Sequence, residues 1–157
     1  MQEHDRQQSH YQHLAVMAAL SYLAMYMLMY AMVDTIGHVY MNFNQVYMAG
    51  LMTAPMVVIE LLVMRAMYHN GRRNAVIVAA SIVAGVAMFV LIRQQTAISD
   101  QQFLRSMIPH HSGAILMCQD ASIQDPEIRE LCKAIVTSQQ AEIDQMTAKL
   151  RALDSDR

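Results

Sequence analysis

Charge is scarce in this chain. Asp, Glu, Lys and Arg make up only 15% of the 157 residues, and hydrophobic residues make up 55%. An ordinary globular domain carries roughly 25% charge. The deficit argues against a wholly water-solvated protein and for one partly solvated by lipid. The net charge is only −2, so no electrostatic attraction to nucleic acid is expected. Tryptophan is absent, and the only cysteines, Cys118 and Cys132, fall in the C-terminal part. No cleavable signal peptide is expected: the first apolar run is too long for a signal core, and no small-residue cleavage pattern closes it. Neither a phosphate-cradling loop nor a nucleophile–base arrangement is visible, so an enzyme is not expected.

Methionine is abundant, at 16 residues, and so are long apolar runs. Leu14–Val33 holds twenty residues without a charge. At about 1.5 Å per residue it covers about 30 Å, the thickness of the hydrocarbon core. A second run, Asn44–Met64, is interrupted by Pro55 and Glu60. The third, Ala75–Ile92, is uncharged and carries Gly85 and several alanines, which suit close helix contacts in lipid. The pattern predicts a polar tail over 1–13, a membrane region over 14–92 with spans at 14–33, 44–64 and 75–92, and a lipid bilayer as partner. Arg6, Arg65, Arg72 and Arg73 flank one side of these spans, and Arg93 and Arg105 the other. The basic residues thus place the N-terminus and the second connection in the cytoplasm. The first connection and the C-terminal segment then lie outside, in the periplasm if the membrane is a bacterial inner membrane.

Several features of the membrane region carry chemistry or packing. Met48, Met52 and Met56 recur every four residues on one helix face, and Met25, Met29 and Met32 share a face at steps of four and three. Thioether sulfur suits Cu(I) and would make an intramembrane metal path; packing is the preferred reading, because methionine fills irregular gaps well. Glu60 either faces a partner or polar cavity, or reaches the interface. Asp34 and His38, four apart, could bind a metal or a proton, and a wet loop is preferred. Tyr22, Tyr26 and Tyr30 read as packing. His4, His10 and His13 could bind metal weakly, and a solvated, disordered tail is preferred.

Beyond residue 98 the pattern changes to amphipathic helices. Ser99 is placed to cap a helix with Gln102 completing a capping box, and this helix should end near Asp120. Asp125-Pro126-Glu127 starts another, with a capping Asp, Pro in the first turn and an early acid, running to about Leu150. Pro109 should bend the first helix. The short connection makes the two helices antiparallel neighbours. With the turn centred near residue 124, Cys118 faces Cys132 and His111 faces Gln139. The inward stripes read Leu104, Met107, His111, Ala114, Cys118 and Cys132, Ile135, Gln139, Glu142, Met146. Polar His, Gln and Glu thus stand where Leu would be expected, and such a departure from pattern marks a functional site. The cysteines are most simply a disulfide, with soft metal ligands or buried thiols as rivals.

Phe103-Leu104-Arg105-Ser106-Met107-Ile108-Pro109-His110-His111, with Ala114-Ile115 and Met117, resembles the signature of the family catalogued as domain of unknown function 305. Ile135, Gln139, Glu142-Ile143 and Met146 match its second signature. The resemblance covers residues 99–151 and leaves the membrane part outside. It implies a ferritin-like helical bundle, and together with the apolar runs the expectation is an all-α protein: three transmembrane helices followed by a soluble ferritin-like antiparallel helical hairpin. Some members are periplasmic copper-binding proteins linked to copper tolerance. The resemblance therefore implies copper, as Cu(I), held by Met107, His110, His111, Met117 and Met146, with Gln139 and Glu142 as orienting partners. A di-iron enzyme is disfavoured, because such sites need a Glu-x-x-His pair and Glu142 is followed by Gln145. A lone hairpin exposes half its apolar seam, so a homo-oligomer, at least a dimer, or docking on the membrane part is expected. The alternative function is a structural or partner-binding module without metal.

Overall fold

The computed structural model describes residues 2–155, with side chains from Gln8 onward; His4 of the tail lies outside the described side chains. Every regular element among them is helical. The order is α1 (Gln2–Leu28), α2 (Phe43–Val63), α3 (Gly71–Gln94), α4 (Asp100–Asp120) and α5 (Pro126–Ser155), with 3-10 turns at Met29–Met32 and Ile36–His38. The protein is all-α, and three stretches, Gln8–Met32, Phe43–Val63 and Gly71–Gln94, are long and apolar enough to cross a membrane.

The chain divides into two compact units that interleave in sequence. One is Met1–Leu28 with Asn44–Thr96, and the other is Met29–Phe43 with Ala97–Arg157.

In the first unit the expected disordered tail is absent: α1 is helical from Gln2. No Gly or Pro interrupts residues 2–28, and once the apolar span has nucleated a helix, extending it by another turn adds one hydrogen bond per residue fixed. Leu14, Leu61 and Tyr68 form the core, with Tyr11, Met17, Val57, Met67, Ile77 and Val78 packed on it. The small residues serve close approach: a Cβ on Gly85 would lie 3.3 Å from Ala54 Cβ. Helix α2 continues through Pro55 without a break. Asn70 caps α3, its side chain accepting from Arg73 N at 3.0 Å. Val76, Ile82, Val83, Val86 and Phe89 are each more than half exposed, an outward surface suited to lipid.

In the second unit α4 and α5 form the hairpin. Asp125 Oδ1 accepts from the backbone N–H groups of Glu127 at 2.8 Å and Ile128 at 3.1 Å, and Ser99 Oγ accepts from Gln102 N at 3.5 Å. The capping box does not close. Gln102 Oε1 instead accepts from Phe43 N at 3.0 Å, because Met29–Phe43 lies along the hairpin and its backbone competes for the Gln102 side chain.

That segment also corrects the expected seam. The fully buried side chains are Ile108, Ser112 and Ile115 of α4 and Ile143 of α5, with Leu150, Tyr40, Leu104, Val136 and Met146 around them. Of the polar stripe, Glu142 is displaced to the rim and is about half exposed. With α5 on one flank and Met29–Phe43 on the other, the buried face of α4 centres between its two neighbours. At Gly113 a Cβ would stand 3.3 Å from the carbonyl oxygen of Met32. Gly113→Val should therefore destabilise this unit by about 1–3 kcal/mol through overpacking, seen as faster amide exchange along α4; Gly113→Ala should do less, since its clash is offset by better helix propensity.

Candidate functional site

The residues expected to hold metal are divided between two faces of α4. At 100° per residue, Met107, His110 and Met117 share one side; His110 is exposed and Met117 is 53% exposed. His111 turns toward α5 and keeps only 11% of its side chain exposed. Met146 packs at the edge of the hairpin core. The rings of His110 and His111 are 6.0 Å apart and tilted, so the outer and inner groups meet at this dipeptide.

His111 was expected opposite Gln139, but its Nδ1 stands 3.1 Å from Glu142 Oε2. The shift by about one turn follows from side-chain direction. Helical side chains lean toward their own N-terminus, so in an antiparallel pair each reaches a partner placed later in the other helix. Close as the carboxylate is, it is not aligned to accept, and Nδ1 of His111 is buried without a hydrogen bond. We take the contact as electrostatic. Burial, the largest effect, and the adjacent His110 push His111 below its usual pKa of 6.5, while Glu142 acts in the opposite direction. The imidazole is thus neutral at pH 7 and has a lone pair to offer.

Cys118 and Cys132 are joined in a disulfide with their Cα atoms 5.2 Å apart, which removes both from the soft-ligand set. Among the described residues no group of three or more His, Cys, Asp or Glu gathers closely enough to hold a metal ion. A metal on the hairpin would therefore depend on methionine sulfur, and the donors present, thioether and imidazole, fit a soft ion rather than a hard one. In the first unit Met48 and Met52 are each about two-fifths exposed, on the outward side of α2. The tyrosine stripe packs and bonds: Tyr22 donates to the Val46 carbonyl at 3.3 Å, and Tyr30 to that of Tyr40 at 2.7 Å.

A second polar cluster in the hairpin unit joins Asp34 and His38 to Ser112. Instead of a wet loop, the Ser112 hydroxyl donates to Asp34 Oδ1 and accepts from Asp34 N at 2.8 Å. His38 Nδ1 lies 2.7 Å from the same carboxylate oxygen and 3.3 Å from Ser112 Oγ. Thr35 N adds a bond to Asp34 Oδ1 at 2.7 Å. The serine and the carboxylate meet the same imidazole nitrogen, unlike a nucleophilic relay, in which they bind opposite ones. Ser112 is also wholly buried. The cluster therefore clamps Met29–Phe43 onto α4. The small pair Ser112-Gly113 within an amphipathic helix was the signal for this close approach.

Burial, the largest effect, raises the Asp34 pKa, but the bonds from Ser112 and His38, the His38 charge and the Thr35 N–H together hold it below its usual 3.8. The folded chain then binds fewer protons at Asp34 than the unfolded chain. This contribution to stability is complete above the unfolded pKa and is lost as pH falls through the folded value. His111, also depressed, adds a loss of the same sign that begins nearer its usual 6.5. Metal-free protein should accordingly lose protection in α4 on acidification from pH 7, and Asp34→Asn should remove the part of that loss below about pH 4. Amide exchange corrected for intrinsic rate checks this.

The family described as Domain of unknown function (DUF305) matches residues 3–150. The match takes in the apolar helices as well as the hairpin, which corrects the expected limit at residues 99–151. The long apolar helices use interchangeable apolar side chains, so the hairpin carries the legible signature. The chain is also 33% identical over 141 residues to the "Uncharacterized protein L153" of Acanthamoeba polyphaga mimivirus, covering 87% of this chain and 90% of that relative. No solved structure matches.

Proposed function

The chain belongs to the DUF305 family, and we propose that it is a membrane-anchored protein whose hairpin binds Cu(I) for copper handling or tolerance. The observation that carries this reading is Nδ1 of His111, buried and without a hydrogen bond in a ring that burial keeps neutral. A buried polar atom left without a partner is uncommon and calls for an explanation, a ligand among them. His111 and Met146 would supply the inner donors, with Glu142 and Gln139 orienting them. Met107, His110 and Met117 would supply the outer ones. The outer stripe can be completed by a second copy of the chain, so binding and dimerisation are linked in this proposal. The basic residues favour a cytoplasmic N-terminus with the hairpin on the opposite, periplasmic side of a bacterial inner membrane.

Titration of the detergent-purified protein with Cu(I) under a competing chelator tests this. Tight binding should fall by about a hundredfold or more in Met107→Leu/His110→Gln/His111→Gln, given that even the partners which merely orient a ligand are worth 10–100-fold. Equal binding by both proteins would remove the hairpin site. A second reading rests on Phe103, Met117, Ile128 and Leu131, each about half exposed on the hairpin. That apolar surface fits an assembly module, and an oligomer that dissociates on Phe103→Ser/Leu131→Ser with metal binding unaltered would favour it.

A further inference from the structure

The membrane unit contains a separate cluster of soft donors. A cavity of about 230 Å³ is lined by His10, His13, Met17, Glu60, Met67 and Tyr68, with Leu14 as its apolar floor. It is smaller than the roughly 300–1,000 Å³ of ordinary small-molecule pockets. The spacing of His10, His13 and Met17 places all three on one face of α1. Glu60 comes from α2, next to the buried Leu61. Met67 and Tyr68 come from the turn that follows.

That turn is firmly held. Tyr11 Oη donates to Asn74 Oδ1 at 2.7 Å, Asn74 Nδ2 donates to the Tyr68 carbonyl at 2.8 Å, and the Tyr11 and Tyr68 rings stack at 5.3 Å. Donors on elements fixed in this way need little reorganisation to bind a ligand. Ser9 Oγ stands 3.5 Å from His13 Nδ1, which leaves Nε2 for a ligand. Met17 Sδ accepts from Ser21 at 3.5 Å, and the thioether has a second lone pair.

The donor set selects the ion. His10, His13 and Glu60 do not gather closely enough to hold a metal by themselves, so a hard or borderline cation that needs several nitrogen and oxygen ligands is poorly served. Two imidazoles with two thioethers suit a soft ion of low coordination number. Among the described residues no cation is paired with Glu60. An ionised Glu60 would be neutralised by one positive charge, whereas a divalent ion would leave a net charge beside lipid. Packing alone accounts for Met17 and Met67, which lie on the Leu14–Leu61–Tyr68 core, but it gives no reason for two imidazoles and a carboxylate around the same space.

We propose that this cavity is a second metal site, for a soft monovalent cation of the Cu(I) and Ag(I) class, ligated by His10, His13, Met17 and Met67 with Glu60 balancing the charge. The proposal does not depend on the hairpin site. Ag(I) is the probe, because it needs no reductant. Full-length protein carrying Met107→Leu/His110→Gln/His111→Gln/Met146→Leu, which disables the hairpin, should still bind one Ag(I) per chain. Adding His10→Gln/His13→Gln/Met17→Leu should weaken that binding at least about a hundredfold. X-ray absorption at the silver edge should show both nitrogen and sulfur neighbours. Since seven substitutions together could impair folding, His10→Gln/His13→Gln is also measured alone: bound Ag(I) must drop by one per chain. No ion retained by the hairpin-disabled protein, no loss in the pair variant, or a metal without sulfur neighbours would each overturn the proposal.

Discussion

Replacing both Cys118 and Cys132 with alanine will lower the stability of the hairpin by about 3 kcal/mol, the value for a cross-link closing a loop of about 15 residues. The two cysteines are 14 apart in sequence and join the end of α4 to the start of α5. Beyond Ile115 and Val136 that end has little else to hold it. The other core residues, Ile108, Ile143 and Leu150, lie toward the opposite end, and Met117, Ile128 and Leu131 beside the bridge are about half exposed. Without the bridge the unfolded hairpin regains its freedom while the folded one loses few contacts. Amide exchange near the turn should accelerate by about a hundredfold, each tenfold being 1.4 kcal/mol of local opening free energy. Reductant should reproduce the effect in the unaltered protein. Unchanged exchange in both cases would mean that the helix termini are held by packing alone.

A comparable loss is expected from Asp34→Ala. Asp34 accepts from the Ser112 hydroxyl, the His38 ring and the Thr35 N–H, and hydrogen bonds to charged groups contribute about 1.5–3 kcal/mol each. Removing the carboxylate also strands the hydroxyl of Ser112, which is wholly buried. We expect a loss of about 3 kcal/mol, read as faster exchange in the middle of α4 and as exposure of Met29–Phe43 to limited proteolysis. Asp34→Asn keeps an acceptor oxygen and should recover about half of it. His38→Gln should cost less than Asp34→Ala, because His38 is the more exposed partner of the pair. If Asp34→Ala leaves both readouts unchanged, the clamp does not hold the segment.

These effects fall where sequence reasoning was weakest. Local signals gave the long apolar helices, the caps at Ser99 and Asp125, and the pairing of Cys118 with Cys132, since each depends on residues a few positions apart or on symmetry about a short turn. The clamp joins Asp34 and Ser112 across 78 residues, and nothing periodic in either segment records such a contact. The seam was misplaced for the same reason: a helix with one neighbour buries a stripe, whereas α4 has two and buries a wider face. Of the expected ligands, His111 meets its expected orienting partner Glu142, while His110 and Met117 face outward. The polarity of residues 1–13 reads as a solvated tail, whereas the helix begun by the apolar run extends back to Gln2.

The interleaving of the two units affects how the protein can be made and altered. Residues 97–157 look like a detachable cassette, yet an excised fragment would lack the strap that Ser112 and Gly113 are shaped to receive. During synthesis that strap emerges long before its seat, waits while two further apolar helices are made, and only then closes a long loop, a slow step of the kind that high contact order imposes. Grafting the hairpin onto another protein should therefore succeed only when the first connection travels with it, and the two stretches should tolerate exchange between homologues only as a pair.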